Sequence, residues 1–296
     1  MPYEATPAAP YSLVPGESFA ATSFEIPRCA CDTHAHVVSD DSDSYPMIAG
    51  RSYTPVPCPE EKYMSMLDRT AMDRGVLVQI SVYGTDNRYM LEVLRRHPYR
   101  LRGIGVASPD VTERELTAMH EGGVRGLRLN VLYGGGVGFN AMETLAAKIQ
   151  DMGWHLELLV NASQLPDLMP RLQRLTLPVV VDHMGHMPVE LGIKHPGFRA
   201  LKHLLVEFGG WTKLSGAYRM SSAPAPYTDV TTWAQELVNA APDRVVWGSD
   251  WPHVAVTPMP DTGLQRNLLA TWIPDADLRR KVLVSNPERL YGFPAR

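Results

Sequence analysis

The sequence predicts a single (β/α)8 barrel of the TIM type. Eight short runs of apolar and β-branched residues alternate with segments that carry helix start signals, over a chain of 296 residues. A barrel of this kind commonly uses about 250 residues as one domain. No Gly-x-Gly-x-x-Gly turn follows the first run, which argues against an open, doubly wound nucleotide-binding sheet.

The eight runs are apolar on both faces, as is typical of strands buried in a parallel sheet. In chain order they are Cys29–Val38, Gly75–Ser81, Leu101–Ser108, Val124–Leu132, Trp154–Ala162, Pro178–Gly185, Thr212–Arg219 and Arg244–Trp251.

The segments between these runs begin and end with recognisable helix signals. Capping boxes are predicted for Thr112 with Glu115 and for Asn140 with Glu143. Single caps are predicted for Asp86, before a helix over 87–97, and for Asp229, before a helix over 230–240. Helix ends are expected at three glycines, which are Gly75, Gly153 and Gly209.

Two segments lie outside the repeating pattern. Residues 1–27 are predicted to form an extended arm, which leaves 28–296 for the barrel domain. A long loop, Ser39–Pro59, follows the first strand and contains four Pro, three Asp and two Tyr. Long strand-to-helix loops at this face of a barrel are usually lids or binding loops. The glycine-rich segment Gly134–Gly138 follows the fourth strand and is interpreted as an active-site loop.

Composition excludes several classes of partner. The net charge is -4 and the pI is about 6.2, so we expect no nucleic-acid partner, because phosphate binding needs a basic surface. No apolar run reaches the about 18 residues of a membrane span. The three cysteines favour a reducing compartment, and we expect the cytoplasm. The sequence leaves open whether the chain forms a homo-oligomer.

Polar residues recur where the predicted strands end, which is where barrels place their active sites. His34 and His36 alternate on the first strand and would therefore share one face. Asp250 ends the last strand, beside the first in a closed barrel. The remaining polar residues of this kind are Ser81, Arg128, Asn130, Asn161, His183, Arg219 and His253. Imidazoles and a carboxylate suit a hydrolytic reaction, and two arginines suit an anionic ligand.

Several motifs resemble the amidohydrolase superfamily, of the amidohydrolase-2 type. They are Asp32–Val37 (DTHAHV), Arg125–Asn130 (RGLRLN), Val181–Gly185 (VDHMG) and Trp247–His253 (WGSDWPH). Further matches are Gln79–Asn87 and the ending Asn286–Tyr291. Within the superfamily these motifs are similar to the group of 2-pyrone-4,6-dicarboxylate lactonase and sulfomuconolactone hydrolase. The resemblance runs from about Cys29 to Phe293.

This resemblance implies a hydrolase that opens the lactone ring of a small anionic organic acid. Asp250 corresponds to the water-activating carboxylate, and His34, His36 and His183 to the histidines around the lactone carbonyl. The residues expected to bind substrate are Tyr53, Ser81, Arg128, Asn130 and Arg219. Two alternatives from the same superfamily stay open, namely a zinc-dependent decarboxylase and a lactone isomerase.

The chain departs from the group at two substrate positions. Where the group has an arginine after strand four, this chain reads Tyr133-Gly134-Gly135. Where it has a tyrosine on strand five, this chain reads Leu158-Leu159. One carboxylate clamp is therefore missing. This loss favours a muconolactone, a sulfomuconolactone or a sugar-acid lactone over pyrone dicarboxylate.

The metal requirement is open from the sequence. Metal-dependent relatives add a Lys or Glu on strand four and a His on strand five, and a bridged two-metal site is not expected here. We expect that no metal is required. The alternative is one Zn²⁺ held by His34, His36, His183 and Asp250.

Overall fold

The computed structural model describes residues 9–294 and forms a barrel of eight parallel strands in sequential order. The strands are β1 Cys31–Ala35, β2 Arg74–Val78, β3 Leu101–Gly105, β4 Val124–Asn130, β5 His155–Leu159, β6 Val179–Val181, β7 Trp211–Leu214 and β8 Val245–Trp247. The predicted (β/α)8 fold is confirmed. Each strand is shorter than the run that predicted it, because the run continues into the turn after the strand.

Helices connect successive strands and cover the outside of the barrel. They are α1 Glu60–Arg69, α2 Arg88–Arg96, α3 Glu113–Glu121, α4 Met142–Ile149, α5 Leu165–Leu172, α6 Pro196–Glu207, α7 Ala217–Met220, α8 Thr231–Ala240, α9 Thr262–Trp272, α10 Ala276–Arg280 and α11 Asn286–Tyr291. One helix follows each of the first six strands, two follow β7 and three follow β8.

The barrel closes through hydrogen bonds between β1 and the segment after β8. The His36 N–H donates to the Trp251 carbonyl at 2.8 Å, and the Asp250 N–H donates to the His34 carbonyl at 2.8 Å. Gly248 permits this approach, because a Cβ atom there would lie 2.6 Å from Cβ of His34. Closure therefore joins the two segments that carry the histidine pair and the carboxylate.

The capping predictions are confirmed for one helix and wrong for two. Thr112 and Glu115 form the capping box of α3. α4 instead continues a 3-10 turn and begins at Met142 without a side-chain cap, while Glu143 pairs with Arg171. α8 also continues a 3-10 turn, and the carboxylate of Asp229 accepts hydrogen bonds from Ser221 and Ser222.

The other helix-boundary predictions have mixed outcomes. Asp86 accepts a hydrogen bond from the Arg88 N–H, but the cap position of α2 is Asn87. Gly153 and Gly209 follow helical segments in the left-handed conformation, as expected. Gly75 lies within β2, so the helix end predicted there is wrong. A Cβ atom at Gly75 would meet the Tyr63 hydroxyl at 2.0 Å, so glycine is needed for packing α1 on the barrel.

Apolar side chains close the N-terminal end of the barrel interior. Val76, Ile104, Val180 and Val246 pack there as one buried cluster, which includes Tyr291 from α11. A larger apolar core lies between the strands and the surrounding helices. Arg74 and Arg102 are also buried at this end, where their guanidinium groups lie over the ring of Phe293.

The predicted arm covers residues 1–27, and its residues 1–8 lie outside the described part of the chain, as do residues 295–296. From residue 9 onwards it runs along the loop after β1 and the start of α9. The Ser12 N–H donates to the Thr54 carbonyl at 2.8 Å, and the Thr54 N–H donates to the Pro10 carbonyl at 2.7 Å. Further along, the Ala20 N–H donates to the Asp261 carboxylate. Between residues 9 and 294, no helix has the length and apolar character that crossing a membrane requires.

Candidate active site

Three histidine side chains surround Asp250 at the C-terminal end of the barrel. The Nε2 atoms of His34 and His36 each lie 3.9 Å from Asp250 Oδ1, and His183 Nε2 lies 3.9 Å from Oδ2. All four side chains are buried. These separations exceed a hydrogen bond. They leave room for a ligand atom between the imidazoles and the carboxylate.

Asp250 has one oxygen engaged by neighbouring side chains. Arg219 Nε and the Tyr218 hydroxyl both donate to Oδ2 at 2.6 Å. Burial by itself raises the pKa of Asp250, but the Arg219 guanidinium and the nearby imidazoles hold it well below its usual range. Asp250 is therefore ionised at neutral pH, and Oδ1 is the oxygen that faces His34 and His36.

The histidines are neutral at physiological pH. Burial lowers the pKa of His34 and of His36 to about 3, and it lowers the pKa of His183 well below its ordinary value. The charges of Lys213, beside His34, and of Arg128, near His36, act in the same direction. Neutral imidazoles can donate and accept hydrogen bonds or bind metal, but they bring no charge to the site.

His36 is held in a defined tautomer by the second strand. Its Nδ1 lies 2.7 Å from the Val78 carbonyl oxygen, which can only accept. Nδ1 therefore carries the proton, and Nε2 presents a lone pair towards Asp250 Oδ1. A water molecule between these two acceptors could donate one hydrogen to each.

Four charged side chains form a buried ionic cluster next to His34. Lys213 Nζ lies 2.5 Å from Glu157 Oε2 and 3.4 Å from Asp182 Oδ1. Arg128 donates through Nε to Asp182 Oδ2 at 3.1 Å, and its Nη2 lies 3.0 Å from the same oxygen. Each of the four is at most 4% exposed. Two cations and two carboxylates balance, as burial of charge requires.

The two carboxylates of this ionic cluster have opposite shifts in pKa. Burial, reinforced by the charge of Asp182, raises the pKa of Glu157 to about 7. Burial also acts on Asp182, but Lys213, His34 and Arg128 overcome it and hold its pKa well below its usual range. Asp182 is thus the charge that anchors Arg128.

The structure does not bring the two predicted arginines together on a free surface. Arg219 is engaged with Asp250, with the Tyr133 hydroxyl at 3.3 Å and with the Val254 carbonyl at 3.1 Å. Arg128 uses Nε and Nη2 on Asp182. Among the described residues, its Nη1 has no hydrogen-bond partner. Arg128 therefore keeps one nitrogen without a protein acceptor among residues 9–294, whereas each nitrogen of Arg219 donates to one.

Asn130 and Asn161 occupy strand ends but have different surroundings. Asn130 Oδ1 accepts hydrogen bonds from the N–H groups of Leu132 and Tyr133 and so shapes the loop after β4. Its Nδ2 is buried and has no partner among residues 9–294. Asn161 accepts from the Ser163 N–H at the start of a 3-10 turn.

Tyrosine hydroxyls surround the mouth of the barrel. Tyr53 and Ser81 share a hydrogen bond of 3.0 Å, and the rings of Tyr53 and Tyr133 pack edge to face. A cavity of about 250 Å³ lies at this mouth, lined by residues 10–13, 52–53, 133 and 255–257. The Gly134 N–H donates to Ser52, so the glycine-rich loop packs on the loop after β1.

His253 belongs to a hydrogen-bonded chain behind Asp250. Its Nδ1 lies 3.0 Å from the Tyr218 hydroxyl, and its Nε2 lies 2.8 Å from the Thr262 hydroxyl. Because the tyrosine proton goes to the carboxylate, His253 Nδ1 donates and Nε2 accepts. The chain therefore directs successive donors towards Asp250 Oδ2.

Strained backbone accompanies the site residues. Asp250 has a φ of +63°, His183 of +49° and His253 of +61°, all in the left-handed region. Such conformations in residues other than glycine persist where the surroundings determine them strongly. The turns after β6 and β8 thus hold their side chains in place at a cost in backbone energy.

Sequence reasoning missed several members of the site. They are Glu157, Asp182, Lys213, Tyr133 and Tyr218. Each charged member stands alone in an apolar run. A lone charge inside a strand that is buried on both faces must have a partner, and that signal identifies Glu157 and Lys213.

Two groups of residues bring potential metal ligands together. In the part of the chain that the structure describes, they are His34 with His36 and Asp250, and His34 with Asp182 and His183. In each group the ligand atoms lie within 4.8 Å of one another. Geometry alone would admit one ion.

Comparisons with known proteins place the chain among hydrolases. The amidohydrolase family profile matches residues 31–293. A 4-sulfomuconolactone hydrolase from Rhizobium radiobacter is 36% identical over 92% of this chain and 93% of its own. A 2-pyrone-4,6-dicarboxylate hydrolase from Comamonas testosteroni is 34% identical over 90% and 92% of the two chains. A solved structure from Acinetobacter baumannii with citric acid bound covers 90% of this chain and 100% of its own, at 29% identity and a TM-score of 0.79.

The buried pair of Lys213 and Glu157 gives a stability prediction. Lys213→Met should lower the free energy of unfolding by about 3–5 kcal/mol, because it leaves Glu157 without its cation in a dry interior. The double variant Lys213→Met/Glu157→Gln should recover most of this loss. Chemical denaturation of the wild type, both single variants and the double variant measures the coupling.

An exposed ion pair provides the control for this measurement. Lys202 and Glu236 lie 2.8 Å apart, and their side chains are 40% and 39% exposed. Lys202→Met should change the free energy of unfolding by less than about 1 kcal/mol. Equal losses for Lys202→Met and Lys213→Met would contradict the importance assigned to the buried pair.

Proposed function

We propose that this chain, which belongs to the amidohydrolase family, hydrolyses the lactone ring of a small organic acid. One observation carries the proposal. Ionised Asp250 has one oxygen held by Arg219 and Tyr218, and the other lies 3.9 Å from Nε2 of both His34 and His36. The names of the relatives supply the substrate class, since two of them are lactone hydrolases.

The reaction begins with the activation of water. Asp250 Oδ1 and His36 Nε2 both accept hydrogen bonds, so together they orient a water molecule towards the substrate carbonyl. As the water oxygen attacks the carbonyl carbon, Asp250 takes one of its protons. The other proton stays on the new carboxylic acid group and is lost to solvent after release.

The second half of the reaction opens the ring. His34 and His183 stabilise the oxyanion that develops on the carbonyl oxygen, in a site where water is largely excluded. The tetrahedral intermediate collapses with cleavage of the bond between the carbonyl carbon and the ring oxygen. Protonated Asp250 then returns its proton to that oxygen. The sum is one lactone and one water converted to one ring-opened acid.

Two unsatisfied donors support an anionic substrate. Arg128 and Asn130 lie two residues apart on β4, so their side chains share one face of the strand. The Nη1 of Arg128 and the Nδ2 of Asn130 have no hydrogen-bond partner among the described residues. We assign them to the substrate carboxylate. The citric acid held by the structure from Acinetobacter baumannii is also a carboxylate ligand.

The donor set does not suit a divalent metal ion. The carboxylate facing His34 and His36 is already neutralised by Arg219. His34 Nδ1 lies 3.0 Å from the Lys213 ammonium, which adds positive charge beside the site. No step of the proposed reaction therefore uses a metal.

The cysteines are unpaired, which suits the cytoplasm that we propose as the location.

Replacement of the proposed base gives the first test of function. Asp250→Asn should lower kcat for a hydrolysable lactone about a thousandfold, with a smaller change in KM, because proton removal occurs in the transition state. Product mass distinguishes the three reactions: hydrolysis adds one water, isomerisation leaves the mass unchanged, and decarboxylation removes carbon dioxide. Asp110→Asn, in an exposed loop, is the control. A variant Asp250→Asn that keeps a tenth of wild-type kcat would exclude this role.

Arg219 should determine the pH dependence of the reaction. Its guanidinium is the main group that lowers the pKa of Asp250, so Arg219→Met should move the acidic limb of the profile of kcat/KM to higher pH. The wild type needs ionised Asp250, and it should stay active at pH values where Asp250 of the variant is already protonated. Profiles of both enzymes with the same lactone measure the shift. An unchanged limb with only a higher KM would assign Arg219 to substrate binding instead.

The contribution of Arg128 to substrate binding should depend on the charge of the substrate. Arg128→Met should raise KM strongly for a lactone that carries a carboxylate, because a charge-assisted contact is lost. A neutral lactone of the same ring size should be affected much less. Paired kinetic assays with the two substrates give the comparison. Equal losses on both substrates would show that Arg128 serves only to balance Asp182.

A further inference from the structure

The contacts of Lys213 define the atoms to which its N–H groups donate hydrogen bonds. Its Nζ is fully buried and lies 2.5 Å from Glu157 Oε2 and 3.0 Å from His34 Nδ1, both in hydrogen-bonding geometry. Asp182 Oδ1 lies 3.4 Å away as an ion-pair partner. A lysine ammonium has three N–H donors and no acceptor. Lys213 therefore donates to His34.

This contact determines the tautomer of His34. A neutral imidazole has one N–H group and one nitrogen lone pair. Because Nδ1 accepts from Lys213, the proton must lie on Nε2, the atom that faces Asp250. The competing arrangement would place the proton on Nδ1 and direct it to Asp182 Oδ1, which is 3.2 Å away. That pair lies at ion-pair distance without hydrogen-bonding geometry, whereas the contact of Lys213 with Nδ1 has it, so the geometry favours a proton on Nε2.

We propose that Lys213 is a positioning residue that holds His34 as a hydrogen-bond donor and thereby keeps the site free of metal. With its proton on Nε2, His34 can donate to the lactone carbonyl oxygen but has no lone pair for an ion. The donor role rests on the proposed function. The tautomer and the exclusion of metal do not.

The two neighbouring histidines consequently have opposite roles. His36 donates from Nδ1 to Val78 and keeps a lone pair on Nε2. His34 accepts at Nδ1 and keeps a proton on Nε2. The first suits an incoming water molecule, which donates, and the second suits a carbonyl oxygen, which accepts. Lys213 and Val78 thus determine which reactant each imidazole contacts.

The charge of the surroundings acts in the same direction. Glu157 and Asp182 are matched by Lys213 and Arg128, and Asp250 is matched by Arg219. A divalent cation would add two positive charges to a buried site that already holds the cations of Lys213, Arg128 and Arg219. Removal of Lys213 together with Glu157 would keep this balance and release His34 Nδ1 to donate to Asp182. His34 Nε2 would then be available as a ligand.

The experiment compares the wild type, Lys213→Met/Glu157→Gln and the control Glu157→Gln, which keeps Lys213. Histidine tautomers are read from ¹⁵N chemical shifts of protein labelled at histidine, and the His34 signals are assigned by their absence in His34→Asn. Zinc affinity is measured by calorimetry and bound zinc by elemental analysis after dialysis. Activity is followed on a lactone with and without a chelator.

We expect His34 to carry its proton on Nε2 in the wild type and in Glu157→Gln. Both should hold well under one equivalent of zinc, and hydrolysis by the wild type should survive chelation. The double variant should move the proton to Nδ1, bind about one zinc per chain and lose about a hundredfold in metal-free kcat.

Two results would overturn the proposal. One is a wild-type His34 with its proton on Nδ1. The other is stoichiometric zinc in the wild type, with activity that a chelator removes and zinc restores. The ¹⁵N spectrum of the wild type tests the first of these results even if the double variant fails to fold. Absence of any lactone hydrolysis would reject the proposed function alone, because the tautomer and the zinc affinity are measured without a substrate.

Discussion

Electroneutrality inside a dry barrel is the constraint on which the site depends. Charged groups on β4, β5 and β7 and just after β6 meet in the interior, and each carboxylate has a cation within ion-pair distance. Removing any one charge would leave its partner buried without compensation. The cluster therefore fixes the positions of Arg128 and His34 at the same time. The polar interior is a single unit that supports the reactive groups above it.

Asp250 combines two requirements that usually conflict. As the proposed base, it must be ionised to accept a proton, and it must be shielded from water so that its charge is effective. Arg219 and Tyr218 meet the first requirement through Oδ2, and burial meets the second. The left-handed backbone at Asp250 directs the other oxygen towards the histidines. An ionised base with one free oxygen follows from this division.

The fold and the centre of the site could be predicted from local patterns. Alternation on one strand places His34 and His36 on the same face, and closure of a barrel brings Asp250 beside them. The contacts of Arg219 could not be predicted, because a guanidinium suits a substrate carboxylate and Asp250 equally well. Lys213 and Glu157 are 56 residues apart. Their pairing depends on the register of three strands, which one sequence does not specify.

Closure of the barrel also has a consequence for folding kinetics. Bonds between β1 and the segment after β8 join residues more than 200 positions apart, and the contact of Ala20 with Asp261 spans 241. Contacts of such large sequence separation form slowly, because the entropy of closing a long loop must be overcome first. Asp250 reaches its histidines only when the last strand has docked. Nascent chains and truncated fragments would therefore have no catalytic activity. Activity would appear only after the final step of folding, when the last strand has docked.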